Sequence, residues 1–323
     1  MKNVFKIVLL CMILAFVSCS QPKPFVLVLL PDTQAYTSKF PESFKAQTEW
    51  ITAHADSIAF VLQQGDITDG NADYQWINAT DALFLMDGKV PYTFVMGNHD
   101  LGDGGSSNVR NSDLYNHYLP YEKYSKTKNF GGTFETGKMD NTWHTFTAGG
   151  INWMILSLEF GPRNCVLDWA GKVIEKHPKH KVIINTHAYM YSDNTRMTNG
   201  HNWLPQAYGL GSDTGDNAVN NGEQMWEKMI SLYPNVMFVF SGHVLYSGTG
   251  TLVSEGVEGN KVYQMLANYQ WGVDGIKGDE GYLRIVTIDP VNCKIDVKTY
   301  SPHLDKYQTT SNQQFTFNNV DFK

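Results

Sequence analysis

Apolar and polar positions along the chain follow two rhythms. Five short apolar runs, at residues 25–30, 58–62, 92–96, 182–184 and 236–240, contain no charge and are rich in Val, Ile, Leu and Phe. Runs of that length predict strands buried on both faces. Between the first three lie stretches with helical spacing. Pro41-Glu42-Ser43 opens one through about residue 55, with Phe44, Trp50 and Ile51 near one face. A second covers 73–86. The order β-α-β-α-β predicts a mainly parallel sheet, and hence an α/β fold.

The rhythm breaks at 101–150, which is rich in Gly, Ser, Asn and Tyr. It reads as an insertion with one β-pair, 132–136 against 143–147. A strand at 151–158, a helix at 165–176 and a strand at 181–185 follow. The stretch 188–222 is again irregular. Loops this long inside a compact domain tend to be functional. A helix at 222–232 precedes the fifth run. The tail then changes to short β segments at 251–254, 262–267, 282–288, 294–299 and 314–317. Nothing after residue 24 reads as a linker, so residues 25–323 are expected to form one domain.

Each of the five apolar runs feeds a polar cluster. In chain order these are Asp32-Thr33-Gln34, Gly65-Asp66, Gly97-Asn98-His99-Asp100, His187 and Gly242-His243. Open α/β sheets bind ligands at the carboxyl ends of their strands. Donors drawn from Asp, Asn, Gln and His, without Cys, suit one hard-to-borderline metal site. Hydrolysis of a phosphoester fits such a site. Two divalent cations, roughly 3.5–4 Å apart, lower the pKa of a water and neutralise charge developing on phosphorus. Asp66 is the best candidate to touch both cations. Asn98 offers an amide oxygen, and His187 and His243 offer ring nitrogens. His99, one residue beyond Asn98, is expected to reach the scissile bond. Asp100 is expected to fix the His99 tautomer, as carboxylates beside histidines do.

These clusters resemble the calcineurin-like metallophosphoesterases, whose pattern runs Asp-x-His, Gly-Asp, Gly-Asn-His-Asp/Glu, His, Gly-His-x-His. The resemblance spans about residues 25–245. It implies a two-sheet αββα sandwich with helices on the outer faces and metals at the strand ends. Two positions depart from the pattern: Gln34 stands where the family usually has His, and Leu245 replaces the second His of the last motif. In the family both positions serve the same metal. Carried over, Asp66, Asn98, His187 and His243 make one firm site. Asp32 and Gln34, with Asp66, make one weak site completed by water, a phosphate oxygen or Tyr246. Manganese, iron or zinc would suit both. The Asp-x-Gln and Gly-His-Val-Leu variants, with Asn268-Tyr269-Gln270, resemble an exported bacterial subgroup.

Other residues carry weaker signals. Arg196 and His201 lie in the loop after His187, where an Arg could grip phosphate, and Tyr269 with Trp271 could wall a pocket. Asp69 reads as a helix cap or as a residue supporting the metal ligands from behind. Gln34 either ligates or hydrogen-bonds substrate or water.

The chain has 323 residues, is 42% hydrophobic and carries a formal net charge of -7. That balance argues against a nucleic-acid partner. The start is a basic stretch, then an apolar segment at 7–17 too short to remain as a spanning helix. Residues 1–18 therefore read as a signal peptide, with Cys19 as a lipidation site and 19–24 as a linker. This implies a periplasmic or outer-membrane lipoprotein. Cys165 and Cys293 are left over, and in an exported chain they could pair. The function expected is an exported phosphoesterase acting on a small phosphorylated monoester or diester by metal-activated water. The alternative is a non-catalytic, metal-containing binding lipoprotein on the same fold.

Overall fold

The computed structural model describes residues 22–211, 214–272 and 278–323. The signal peptide and the proposed lipid site at Cys19 lie outside them. Strand β1 (Phe25–Leu30) runs through helices α1 (Gln34–Lys39) and α2 (Pro41–Ala53) to β2 (Ile58–Gln63). Helix α3 (Asp73–Leu83) leads to β3 (Tyr92–Thr93). The insertion holds short helices α4 (Asp113–Tyr118) and α5 (Tyr121–Tyr124), then β4 (Phe130–Thr133) and β5 (Thr142–Ala148). After it come β6 (Ile151–Leu158), α6 (Asn164–Glu175), β7 (Lys181–Thr186), α7 (Gly222–Lys228) and β8 (Val236–Ser241). The tail supplies β9 (Thr249–Glu255), β10 (Lys261–Ala267), β11 (Leu283–Asp289), β12 (Lys294–Ser301), β13 (Lys306–Gln308) and β14 (Phe315–Asn318).

These strands form two seven-stranded mixed sheets. One runs β13-β12-β11-β1-β2-β3, with β14 also on β12; the other runs β4-β5-β6-β7-β8-β10-β9. Pairing is parallel at β1–β2, β2–β3, β6–β7, β7–β8 and β8–β10. The tail pairs antiparallel, with β11 on β1 and β12 on β11. The β-rich tail therefore completes both sheets rather than building one of its own.

The uninterrupted apolar runs are explained by burial on both faces. In β1, Leu27 and Leu29 enter a core with Phe60, Trp153, Phe238 and Val286, while Val28 and Leu30 enter a second core with Tyr36, Phe44 and Ile51. The first core lies between the sheets and the second under the helices. Helix α6 shows the same logic at helical period, burying Val166, Leu167, Ala170, Val173 and Ile174. No helix among the described residues is long and apolar enough to cross a membrane. Cys165 and Cys293, whose pairing the sequence left open, are both free.

Candidate metal centre

The five polar clusters meet where β1, β2, β7 and β8 end. Three residues there hold left-handed backbone: Asp32 (φ 39°), Asp66 (φ 46°) and His243 (φ 74°). Non-glycine residues seldom adopt it, and each instance costs on the order of 1–3 kcal/mol, which is why such strain gathers at functional sites. The adjacent glycines admit a neighbouring motif. A Cβ on Gly97 would lie 2.1 Å from Asp66 Oδ1, one on Gly65 2.5 Å from His187 Nδ1, and one on Gly242 2.1 Å from Asp32 Oδ2. The glycines are thus required by close approach between clusters.

Four donors converge on one point. His187 Nε2 lies 3.2 Å from Asp66 Oδ2, 3.2 Å from Asn98 Oδ1 and 3.1 Å from His243 Nδ1. Ligands around a tetrahedral cation at bond lengths near 2.0–2.1 Å are separated by roughly 3.3 Å. The other ring nitrogens are occupied. His187 Nδ1 donates to the Gln64 carbonyl at 2.8 Å, and His243 Nε2 to the Trp203 carbonyl at 2.8 Å. This leaves Nε2 of His187 and Nδ1 of His243 as acceptors for a cation, the arrangement that outer carbonyls impose on ligand histidines. All four residues are buried.

Crowding these groups together shifts their protonation. Burial alone would lower the His187 pKa, but the Asp66 and Asp32 carboxylates outweigh it and push it up to about 9. Burial and the charge on His187 bring His243 down to about 3. At Asp66, burial is outweighed by His187, His99 and His243, which hold its carboxyl well below the ordinary range. A divalent cation takes the place of the proton that the cluster otherwise gathers on His187. The donor set therefore fits such a cation.

The Asp32 side is arranged differently. Both Asp32 oxygens accept from the His243 backbone N–H, at 3.0 and 3.1 Å, and Oδ1 also accepts from Asn268 Nδ2 at 3.1 Å. Burial raises the Asp32 pKa well above the ordinary range. Gln34 Nε2 donates to Asp69 Oδ1 at 3.1 Å, while its Oε1 is buried without a partner. That orphaned oxygen is the kind of group a cation or water satisfies. Leu245 has no donor to offer. Tyr246 stands exposed, its hydroxyl accepting from Asn202 Nδ2.

His99 is oriented by a different partner from the one expected. Its Nδ1 donates to the Asp69 carbonyl at 2.6 Å, and its backbone N–H to Asp66 Oδ1 at 2.9 Å. Among the described residues, Asp100 makes no hydrogen bond to the His99 ring, though its charge helps to raise the His99 pKa. Its carboxylate accepts the N–H groups of Gly97, Ile67 and Thr68 and the Thr68 hydroxyl. The two side chains are neighbours in a single 3-10 turn and point apart, so Asp100 pins the second cluster to the third. Burial and the Asp66 charge push the Asp100 pKa up to about 6, against the pull of those N–H groups. Asp69 is not a helix cap either. Ala72 precedes α3, and Asp69 instead links Gln34 to His99.

Three further candidates sit elsewhere. Arg196 is tied to Glu223 at 2.8 Å and to Ser254 at 2.9 Å, with its guanidinium over the Trp226 ring. Its charge is neutralised inside the fold, so it is not a free phosphate grip. Tyr269 is fully buried, its hydroxyl bonded to Thr299, Gln313 and Arg284; it packs the core and walls no pocket. His201 stacks on Tyr191 at 4.0 Å, in the loop that also delivers the Trp203 carbonyl to His243.

The sequence did not single out Phe160 or the local role of Asn268. The Phe160 ring lies 5.7 Å from His187 and 5.2 Å from His243. Arg110 fixes it by donating to the carbonyls of Phe160, Gly161 and Leu210. Asn268 follows the apolar strand β10, the same pattern that marked the other clusters. Tyr208 packs edge-on against Phe160 at 5.2 Å, and no sequence signal marks it.

Comparison with known proteins agrees with this geometry. The calcineurin-like phosphoesterase family matches residues 26–247. The uncharacterized protein YvnB of Bacillus subtilis (strain 168) is 28% identical over 290 residues, 87% of this chain and 20% of YvnB. The chain thus spans about a fifth of the length of that curated relative. A purple acid phosphatase from yellow lupin (Lupinus luteus) seeds is similar in fold, with TM-score 0.53 and 15% identity, over 94% of this chain and 55% of the lupin chain. With a match over more than half its length and the motif residues gathered at the strand ends, this chain belongs to the calcineurin-like phosphoesterase family.

Proposed function

We propose that this protein is an exported, metal-dependent hydrolase of small phosphate esters. The observation that carries the reading is the convergence of Asp66, Asn98, His187 and His243 around one point, with His99 held beside it. A bound divalent cation would neutralise charge on the phosphoryl oxygens and lower the pKa of the attacking water. Asp66, Asn98, His187 and His243 would hold it, and Asp32 with Gln34 would hold a second, weaker one.

The remaining chemistry belongs to the side chains. Attack of water on phosphorus breaks the bond to the leaving oxygen, and that oxygen needs a proton. His99 supplies it. Its Nδ1–H is fixed on the Asp69 carbonyl, and Nε2 has no partner among the described residues. Burial would lower the His99 pKa, but the Asp66 carboxylate and the Asp69 carbonyl raise it, so the ring can carry the proton. Phe160 covers one side of the two histidines and keeps water from their apolar faces. Export is supported by the basic start and the apolar segment at 7–17; lipid on Cys19 would anchor the protein to a membrane.

The non-catalytic alternative is favoured by Leu245 and Gln34, the two departures from the family pattern. Hydrolysis of p-nitrophenyl phosphate and bis-p-nitrophenyl phosphate by the purified chain, stripped with chelator and reloaded with manganese, separates the two. Turnover that needs metal and is lost in His99→Ala establishes the hydrolase, and the preferred ester distinguishes mono- from diesterase. Absence of turnover with manganese, zinc and iron overturns it.

A further inference from the structure

The loop that steadies His243 also builds an aromatic surface. Trp203, whose carbonyl accepts from His243 Nε2, holds left-handed backbone at φ 61°. Tyr246, three residues after His243, does the same at φ 63°. Bulky side chains rarely adopt this conformation. Here two of them do so side by side, with ring centroids 5.1 Å apart and planes tilted by 39°. Tyr246 is nonetheless 59% exposed. Among the other large exposed apolar residues, Tyr307 also packs on a ring, that of Tyr300 at 4.5 Å, but it lies on strand β13 and not in a loop that touches the candidate metal centre.

The surface is braced from behind. Asn202 Nδ2 donates to the Tyr246 hydroxyl at 2.9 Å, and the Asn202 N–H donates to the Tyr191 hydroxyl at 3.4 Å. The Tyr191 ring lies 6.0 Å from Tyr246 and is covered on one face by His201, stacked at 4.0 Å and nearly parallel. Trp203 packs partly against the apolar core, but Tyr246 does not, so the strain and bracing at Tyr246 do not serve that core. They hold an open ring face on the loop whose Trp203 carbonyl accepts from a candidate cation ligand, His243.

We infer that Trp203 and Tyr246 form a platform that receives a ring in the leaving group of the phosphoester. The ligand class is a phosphate ester of a ring-bearing alcohol, a nucleoside or a pyranose sugar, with its ring face against these side chains. Flat or C–H-lined ring faces suit exposed aromatic rings, and the stacking tolerates variation in the ring. Both residues act on specificity, through binding rather than bond breaking. The inference rests on the hydrolase reading in placing phosphate at the candidate metal centre, but the platform is testable apart from turnover.

The test is calorimetric binding of adenosine monophosphate, glucose 1-phosphate and glycerol phosphate to the manganese-loaded full chain carrying His99→Ala, which slows turnover, followed by phosphate release by the unaltered manganese-loaded chain. The platform predicts that at least one ring-bearing ester binds about tenfold more tightly than glycerol phosphate. Tyr246→Ala should remove that preference. Trp203→Ala should do the same and Trp203→Phe should restore it, which separates loss of the ring from collapse of the loop. Under turnover, the alanine variants should raise KM for the ring-bearing ester about tenfold more than for glycerol phosphate. Which ester gains distinguishes nucleoside from sugar. Equal binding of all three esters, binding of none, or a preference that survives both alanine changes overturns the platform. Ring-dependent binding without turnover leaves the platform standing and overturns the hydrolase; turnover without ring preference does the reverse.

Discussion

The two sides of the candidate metal centre are built from the same strand ends, yet they differ in what their donors are free to do. Around His187, three donors lie within 3.2 Å of its Nε2, and each ring has its second nitrogen tied to a backbone carbonyl. Around Asp32, the carboxylate accepts from His243 N–H and Asn268, and the Gln34 amide is half engaged by Asp69. On the first side like polar atoms crowd together at a distance only a cation or a proton makes favourable. On the second side neutral N–H donors already satisfy most of the charge. The difference teaches that a ligand site is recognised by donors left without protein partners, and by crowding that protein alone does not relieve.

Removing a donor from the crowded side should have the largest effect. Asp66→Ala should weaken manganese binding by more than about a hundredfold, beyond the loss that follows when only an outer partner is removed. Equilibrium dialysis with elemental analysis checks it. Retained stoichiometric metal would show that the cluster is a hydrogen-bonded core. Next comes His99→Ala, which should retain the metal and lower turnover by about 10²- to 10⁴-fold, the range for a lost proton donor. Loss of metal instead would make His99 a ligand and erase the distinction drawn here.

A smaller effect is expected from rebuilding the other side. Gln34→His together with Leu245→His should tighten the second manganese by roughly tenfold or more, read from the second step of a binding isotherm. An unchanged second step would mean that Asp32 is too fully hydrogen-bonded to ligate. The smallest effect belongs to Leu245→Ala. It should leave both metal affinities unchanged and lower stability by about 1 kcal/mol, as partly buried truncations do, measured by urea unfolding. A changed metal affinity would give Leu245 a shielding role.

Much of this was legible in the sequence, because buried parallel strands need uninterrupted apolar runs. The limits of β6 matched the reading at 151–158, and β1, β2, β7 and β8 were found from their hydrophobicity alone. The third run was over-read: residues 94–96 are buried but only Tyr92–Thr93 pair. Helix α1 was missed because its six residues start directly at Gln34 without a side-chain cap. Strand β13 was missed because its three residues, Lys306–Gln308, are polar and largely exposed.

The site followed the same division. Asp66, Asn98, His187 and His243 come together as strand-end positions imply, since a strand delivers its last residue rigidly. Partners reached through loops were not legible. Asp69 rather than Asp100 holds His99, because a single turn separates adjacent side chains. Arg196 turns to Glu223, and Tyr269 turns into the core, because loop residues are placed by tertiary contacts that spacing does not encode. Trp203 and Tyr208 reach the histidines in the same way.

The measurement closest to the central claim is a calorimetric titration of the stripped chain with manganese. The account predicts two steps, a first cation bound tightly and a second weaker by about tenfold or more, with Asn98→Ala weakening the first step and Gln34→Ala only the second. Two cations of equal affinity, or a first step that survives loss of Asn98, would contradict it.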